Sequence, residues 1–321
     1  MGLDSKLLRY SKSGERRQNG SAILIDQIKP DSGRLIEANA CENASVSARN
    51  WVGINVIDPA LVPSYEQSIE TWVNSCLTQD VSDAASLAGL DPALIQQVVG
   101  VISYGPTRFC TGLLKDGMVI TAKHCFMTTG KPALQRPAAW SCPKVKGMDD
   151  SWCATQAARD TLQFRRGSDP TRPIPLSLAQ SGITSPSSFG FSTDRISVAV
   201  RADNSVPLTG LPRVEWDTPR VDDLVWLAGP VVSATQPNKY AGMYWSKFLA
   251  GKCRVVELEG QCVRHYCQAV GGFSGSPMVT KTVSGGTGVV KVAGIHLGAS
   301  QSYKECESPT IRLNIAQKSV Q

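Results

Sequence analysis

From about Val98 onward, apolar positions fall in short runs separated by glycine, proline and charged turns, a pattern that predicts strands. Residues 100–104, 108–114 and 118–122 read as consecutive strands, with Asp116-Gly117 as a hairpin turn. Residues 196–200, 224–228, 255–258, 277–283 and 289–296 follow as further strands, and Ser284-Gly285-Gly286-Thr287 is the turn between the last two. Cys253 and Cys262 flank a hairpin expected to turn at Glu259-Gly260. The span 131–193, rich in proline and glycine, reads as strands interrupted by a long insertion, with Cys142 and Cys153 closing a loop inside it.

Ahead of this region the pattern differs. Residues 1–20 form a polar, basic arm, 21–28 a short apolar strand, and 34–60 have no clear period. In 64–77, Ile69, Trp72, Val73, Cys76 and Leu77 recur on one face, which predicts a helix capped by Ser64 with Gln67 at its third position. A second helix is expected at 91–99, with Asp91 as cap and Pro92 at the first helical position. In the tail, 311–320, Ile311, Ile315 and Ser319 share one face and predict a short closing helix. The fold class is therefore all-β with a partly helical extension over residues 1–95, which Cys41 and Cys76 are able to staple.

Composition narrows the function classes. No run of 18 or more apolar residues occurs, so no helical membrane span is predicted. Residues 1–91 carry 8 basic and 12 acidic side chains, net −4, and the remainder 25 and 15, net +10. That asymmetry favours contact between the two parts, or an acidic substrate. The basic residues are scattered and no reader motif accompanies them, which argues against nucleic acid. The ten cysteines, mostly in locally spaced pairs, set the expectation of an oxidising compartment, secreted or periplasmic, with the signal absent from this chain. No Cys-x2-Cys pair occurs, and neither a metal nor a cofactor is implied.

Three stretches carry candidate chemistry: Thr121-Ala122-Lys123-His124-Cys125, Gly271-Gly272-Phe273-Ser274-Gly275-Ser276-Pro277, and Val292-Ala293-Gly294-Ile295-His296-Leu297-Gly298. A serine hydroxyl needs an imidazole as general base, and that imidazole needs an acceptor to hold its tautomer. Only three histidines exist to supply it: His124, His265 and His296.

Together these stretches resemble the chymotrypsin-like serine peptidases over roughly residues 98–318. The first is similar to that family's Thr-Ala-Ala-His-Cys block and the second to its Gly-Asp-Ser-Gly-Gly-Pro block. The resemblance implies two six-stranded barrels, the first over 96–205 and the second over 206–318 of a 96–318 protease domain. It implies a disulfide between Cys110 and Cys125, Ser274 as nucleophile, His124 as base, and an oxyanion hole from the N–H groups of Gly272 and Ser274. An aspartate is required between them at the start of a strand. Asp194 fits best, despite Arg195, with Asp203, Asp169 and Asp160 as runners-up.

Phe273 stands where zymogen-activated members carry the aspartate that pairs with a new N-terminus, so activation by that ion pair is not expected. The Gly-x-His pattern resembles the glutamyl-endopeptidase branch and related viral proteases. It implies that His296 lines a pocket for Glu or Gln and that Leu297, Gly298 and Ala299 pair with an extended substrate. Ala269 replaces the branch's usual threonine or serine, and Gln268 stands where a trypsin has its pocket aspartate. Cys267 is a candidate partner for Cys306; His265 receives no role. Two competing readings are an inactive protease fold acting as a protein-binding module and an adhesion protein whose extension does the work.

Overall fold

The computed structural model describes residues 40–41, 43–44, 62–79, 90–104, 107–126, 162–177, 190–201, 208–231, 242–247, 253–299, 303–306 and 314–318. The expected strand at 21–28 and the Cys142 and Cys153 loop lie outside them.

In chain order the elements begin with α1 (Val62–Cys76), β1 (Leu77–Thr78), α2 (Pro92–Val98), β2 (Val99–Tyr104), β3 (Thr107–Lys115) and β4 (Met118–Ala122). A 3-10 turn, Lys123–Phe126, follows β4. Next come β5 (Leu162–Arg166), β6 (Asp169–Ser177), the turn Phe191–Thr193, β7 (Arg195–Val200), β8 (Arg213–Trp216), β9 (Ala228–Gly229) and β10 (Tyr244–Ser246). The chain continues through β11 (Val255–Glu259), β12 (Cys262–His265), β13 (Pro277–Val283), β14 (Val289–Ala299), the turn Lys304–Cys306 and β15 (Asn314–Lys318).

The architecture is all-β, as expected. Strands β2-β3-β4-β7-β6-β5 close into a barrel, filled by Ile102, Leu113, Val119, Phe164 and Leu176. The β3–β4 hairpin turns at Asp116 and Gly117, both at positive φ, as a two-residue twisted hairpin requires. Two of these strands, β5 and β6, come from the span 131–193 that reads as strands interrupted by a long insertion. Prolines 170, 173 and 175 and the polar Gln163, Arg165 and Arg166 hide their strand pattern, which tertiary pairing overrides.

The second body is a sheet ordered β11-β12-β15-β14-β13, with β8 parallel to β14. Its edges are joined by bridges from Leu224 to Arg254 and from Trp226 to Val279. The Trp226 N–H donates to the Val279 carbonyl at 2.9 Å and the Trp226 carbonyl accepts the Val279 N–H at 3.0 Å, so the sheet also curls into a ring. The expected strand at 224–228 is thus reduced to those bridges and the short β9.

The tail is a correction: β15 is a strand between β12 and β14, not a helix. Ile315, Ala316 and Gln317 are buried in succession, which suits a strand covered on both faces. Over 314–318 this pairing overrides the helix period that the tail's sequence suggests; Ile311 and Ser319 lie outside the described residues.

Helix α2 starts where the sequence indicated. The Asp91 side chain accepts from the N–H groups of Ala93 and Leu94, and Pro92 occupies the first turn. Helix α1 begins two residues ahead of Ser64, so Ser64 is not its cap; its carbonyl instead accepts the Ser68 hydroxyl at 2.9 Å. After α1, β1 adds to a small sheet, β1-β10-β9, and Ile69, Val73 and Leu77 pack with Leu227, Val263 and Phe273. The helical extension is therefore continuous with the core of the second barrel.

Among the described residues, four disulfides join Cys41 to Cys76, Cys110 to Cys125, Cys253 to Cys267, and Cys262 to Cys306. The expected Cys267–Cys306 link is not formed. Cys267, just past β12, faces Cys253 ahead of β11, whereas Cys262 opens β12 beside the Lys304–Cys306 turn.

Candidate active site

His124 sits in the turn that ends β4, and Asp194 sits where the chain enters β7, the strand paired with β4. That pairing brings residues 70 positions apart into contact. Asp194 Oδ2 lies 2.7 Å from His124 Nδ1, and its Oδ1 accepts the His124 backbone N–H at 2.8 Å. The Lys123 N–H donates to the Asp194 carbonyl. Asp194 is fully buried, and the His124 side chain is 18% exposed. The imidazole is thus oriented at one nitrogen by a carboxylate that is itself held in two places, the arrangement a general base requires.

Asp169, by contrast, lies on β6 beside Thr171 and Arg172, and Asp160 and Asp203 lie outside the described residues.

Ser274 belongs to the same corner. Its carbonyl accepts the Thr111 N–H at 2.9 Å; Thr111 follows Cys110, whose disulfide partner Cys125 follows His124. Thr121, on β4, donates its hydroxyl to the Thr111 carbonyl at 2.7 Å. Gly275 fits flush against this corner at φ +87°, where a β-carbon would come within 2.1 Å of the Thr111 carbonyl and 3.1 Å of Ala122 N. The serine loop is therefore docked against the end of the strand that delivers His124, and Ser274 remains partly exposed.

Gly272 adopts φ +109°, with the Pro230 carbonyl 2.2 Å from where a β-carbon would stand. Its carbonyl accepts the Thr111 hydroxyl at 2.9 Å, and the Phe273 N–H closes a turn onto Val270 at 2.9 Å. Phe273 itself is fully buried.

The third stretch is strand β14. It pairs with β15 as far as Ala299 on one side, and with β13 only as far as Ile295 on the other. His296 bonds its backbone N–H to Ser276 and its carbonyl to the Gly275 N–H, each at 2.8 Å, which joins this stretch to the serine loop. The His296 ring is buried, and its Nδ1 lies 3.2 Å from Nε2 of His265. Burial, and then the nearby His124, push the His296 imidazole down to about 3, with a hydrogen bond to Ile315 acting the other way. Burial, followed by His296, also holds His265 well below its ordinary range. Both rings are neutral at physiological pH. Among the described residues, His265 Nδ1 is buried without a hydrogen-bond partner.

Gln268 approaches the serine loop from the other end of β12. Its carbonyl accepts the Ser246 hydroxyl at 2.5 Å, and its side-chain oxygen accepts the Trp72 indole N–H of α1 at 3.3 Å. Ala269 is partly buried beside the second core.

Sequence reasoning gave His265 no role, yet it backs His296 directly. Tyr303 was missed altogether: its hydroxyl donates to Asp194 Oδ2 at 2.6 Å. The signal for His265 was available, since the register of β12 and β14 on either side of β15 follows once the tail is read as a strand. Nothing local marked Tyr303.

Among the described residues, no group of three or more His, Cys, Asp or Glu is placed to hold a metal ion, and no helix is long and apolar enough to cross a membrane.

No family model and no curated protein matches the sequence. Among solved structures, the chain is similar to neuropsin, a serine protease expressed in the limbic system of mouse brain, at 18% identity and TM-score 0.42, over 70% of this chain and 89% of that one. It is similar to a Glu endopeptidase at 14% identity and TM-score 0.45, over 76% and 90% of the two chains. A third similarity is to the serine protease domain of the Sesbania mosaic virus polyprotein, at 17% identity and TM-score 0.35, over 71% and 90%.

Proposed function

We propose that the chain is a serine endopeptidase with Ser274 as nucleophile, His124 as general base and Asp194 as the carboxylate that orients it. The observation that carries this reading is the double contact between Asp194 and His124, at 2.7 and 2.8 Å, in the corner that also anchors the Ser274 carbonyl. In this mechanism His124 Nε2 takes the Ser274 proton as Oγ attacks the scissile carbonyl. The Gly272 and Ser274 N–H groups stabilise the oxyanion, and His124 returns the proton to the leaving amine. Water then attacks the acyl-enzyme with His124 again as base.

The proposed specificity is for Glu or Gln, with His296 donating to the substrate side chain and His265 fixing the His296 ring from behind. Leu297, Gly298 and Ala299 supply the substrate-pairing edge, a role that suits the stretch of β14 beyond the end of its pairing with β13. Phe273 supports the oxyanion loop by burial instead of by an ion pair.

Fluorophosphonate labelling of the full chain beside S274A and H124A tests the reading. Labelling that disappears in S274A and falls strongly in H124A supports it. Absence of labelling in the folded, unaltered chain favours the inactive, protein-binding alternative. Cleavage sites from a mixed peptide library, read by mass spectrometry, test the pocket: cuts at residues other than Glu or Gln retain the enzyme and reject the role of His296.

A further inference from the structure

The Asp194 carboxylate is entirely buried and receives hydrogen bonds from two different bodies of the fold. His124, from the first barrel, bonds both oxygens. The other donor is the Tyr303 hydroxyl, 2.6 Å from Oδ2, on the segment that follows β14 in the second body. A buried carboxylate without donors is costly, and its orientation is set by whichever donors reach it.

Tyr303 is itself firmly held. Its carbonyl accepts the Cys306 N–H at 3.0 Å, and Cys306 is disulfide-bonded to Cys262 at the start of β12. Its ring meets the edge of Phe191, at a centroid distance of 5.6 Å, in the turn that leads into Asp194. Its hydroxyl also stands 3.4 Å from the Leu297 carbonyl and 3.5 Å from His124 Nδ1.

We propose that Tyr303 is a positioning residue for the His124–Asp194 pair, a hydrogen-bond donor that locks the carboxylate across the junction of the two barrels. This rests on the peptidase reading above. The residue acts through Asp194 and touches no substrate. Burial, and then the Asp194 charge, hold the phenol far above its ordinary range, so it stays protonated and donates throughout the working pH range. The ionisable groups facing this cluster are His124 from the first barrel, Glu305 on Tyr303's own turn, and His296 of β14 through His124.

The test is Tyr303→Phe in the full chain, which removes one oxygen from a buried site. The rate of fluorophosphonate labelling is followed over roughly pH 5 to 9, the range in which an imidazole base is titrated. The variant is expected to label about tenfold more slowly on the plateau, the worth of one hydrogen bond to a charged group. Its acidic limb is expected to move to higher pH, because a carboxylate stripped of a donor holds the imidazolium proton more strongly. The NMR resonance of the imidazole N–H bonded to Asp194 is expected to shift as well. Fluorotyrosine at 303, a stronger donor of nearly the same shape, should move the limb the opposite way and covers the case in which Y303F fails to fold.

A profile and an N–H resonance that superimpose on those of the unaltered chain overturn the proposal. The resonance needs no turnover. It therefore decides the role of Tyr303 even where labelling fails and the peptidase reading falls.

Discussion

Gly229 and Phe273 are so closely apposed that a β-carbon on Gly229 would lie 2.8 Å from the Phe273 ring and 2.9 Å from its Cα. The ring is sealed in an apolar cluster with Leu227 and Met278, to which α1 and β1 contribute Val73 and Leu77. The loop before Ser274 is therefore anchored by packing at the position where a resembling zymogen would carry an aspartate.

Phe273→Asp should accordingly be severe. An unpaired carboxylate in this cluster is expected to lower stability by on the order of 4 kcal/mol and to abolish fluorophosphonate labelling. Phe273→Leu should cost only about 1–2 kcal/mol and retain labelling. Urea denaturation midpoints and labelling of the two variants check both outcomes. Full labelling of the Asp variant would show that the loop does not depend on this packing.

Gly275→Ala tests the docking of the serine loop. A β-carbon there meets the Thr111 carbonyl at 2.1 Å and the Thr121 hydroxyl at 2.2 Å, at a φ that side chains disfavour. Ser274 is expected to be displaced from the end of β4, with labelling reduced by about a hundredfold, as misplacement on the scale of 1 Å commonly does. Unchanged labelling would mean that the loop and β4 move independently.

The sequence was most informative where chemistry is local. The residues around His124 and Ser274 are contiguous, and the start of β7 presents Asp194 beside an apolar run, so these candidates were legible before any contact was known. Tyr303 was not, because its meaning arises from a contact across 109 positions. Disulfide pairing among Cys253, Cys262, Cys267 and Cys306 was equally hidden, since four cysteines allow about three connectivities and spacing does not choose among them. Strands β5 and β6 and the tail strand were obscured for a different reason. Their residues follow the partners that cover them, and those partners come from distant parts of the chain.

The paired imidazoles make stability depend on acid. The unfolded chain protonates both histidines near 6.5, whereas in the folded chain His296 stays neutral down to about 3 and His265 is also held well below its ordinary value. Their contribution is complete above pH 6.5 and is lost as pH falls below it, for His296 down to about 3, because the unfolded state then binds more protons. While it stays neutral, the His296 ring should remove about 1.4 kcal/mol of stability per pH unit below 6.5, and His265 acts in the same direction. His296→Gln should flatten the decline in unfolding free energy between about pH 6 and 4; an unaltered slope would place the effect elsewhere.

The same neutrality bears on substrate choice. If His296 lines the substrate pocket as proposed, a Gln side chain would meet a neutral donor at no electrostatic cost, whereas a Glu carboxylate would be best balanced by a proton taken up on His296. The ratio of Glu to Gln cleavage is expected to rise as pH falls from about 8 to 5.5. Paired peptides differing only at that residue measure it, and a ratio that is flat or rises with pH would exclude proton uptake at His296.

Among the described cysteines, every disulfide lies either within the extension, Cys41 to Cys76, or between residues 110 and 306. The extension is therefore joined to the barrels covalently by the main chain alone. Yet it supplies an edge strand to β10 and a hydrogen bond to Gln268. A single cut between residues 79 and 90 would convert α1 and β1 from a part of the fold into a ligand of it. From then on, the shape of the Gln268 segment would depend on dilution, with an affinity of its own and a rate at which it lets go.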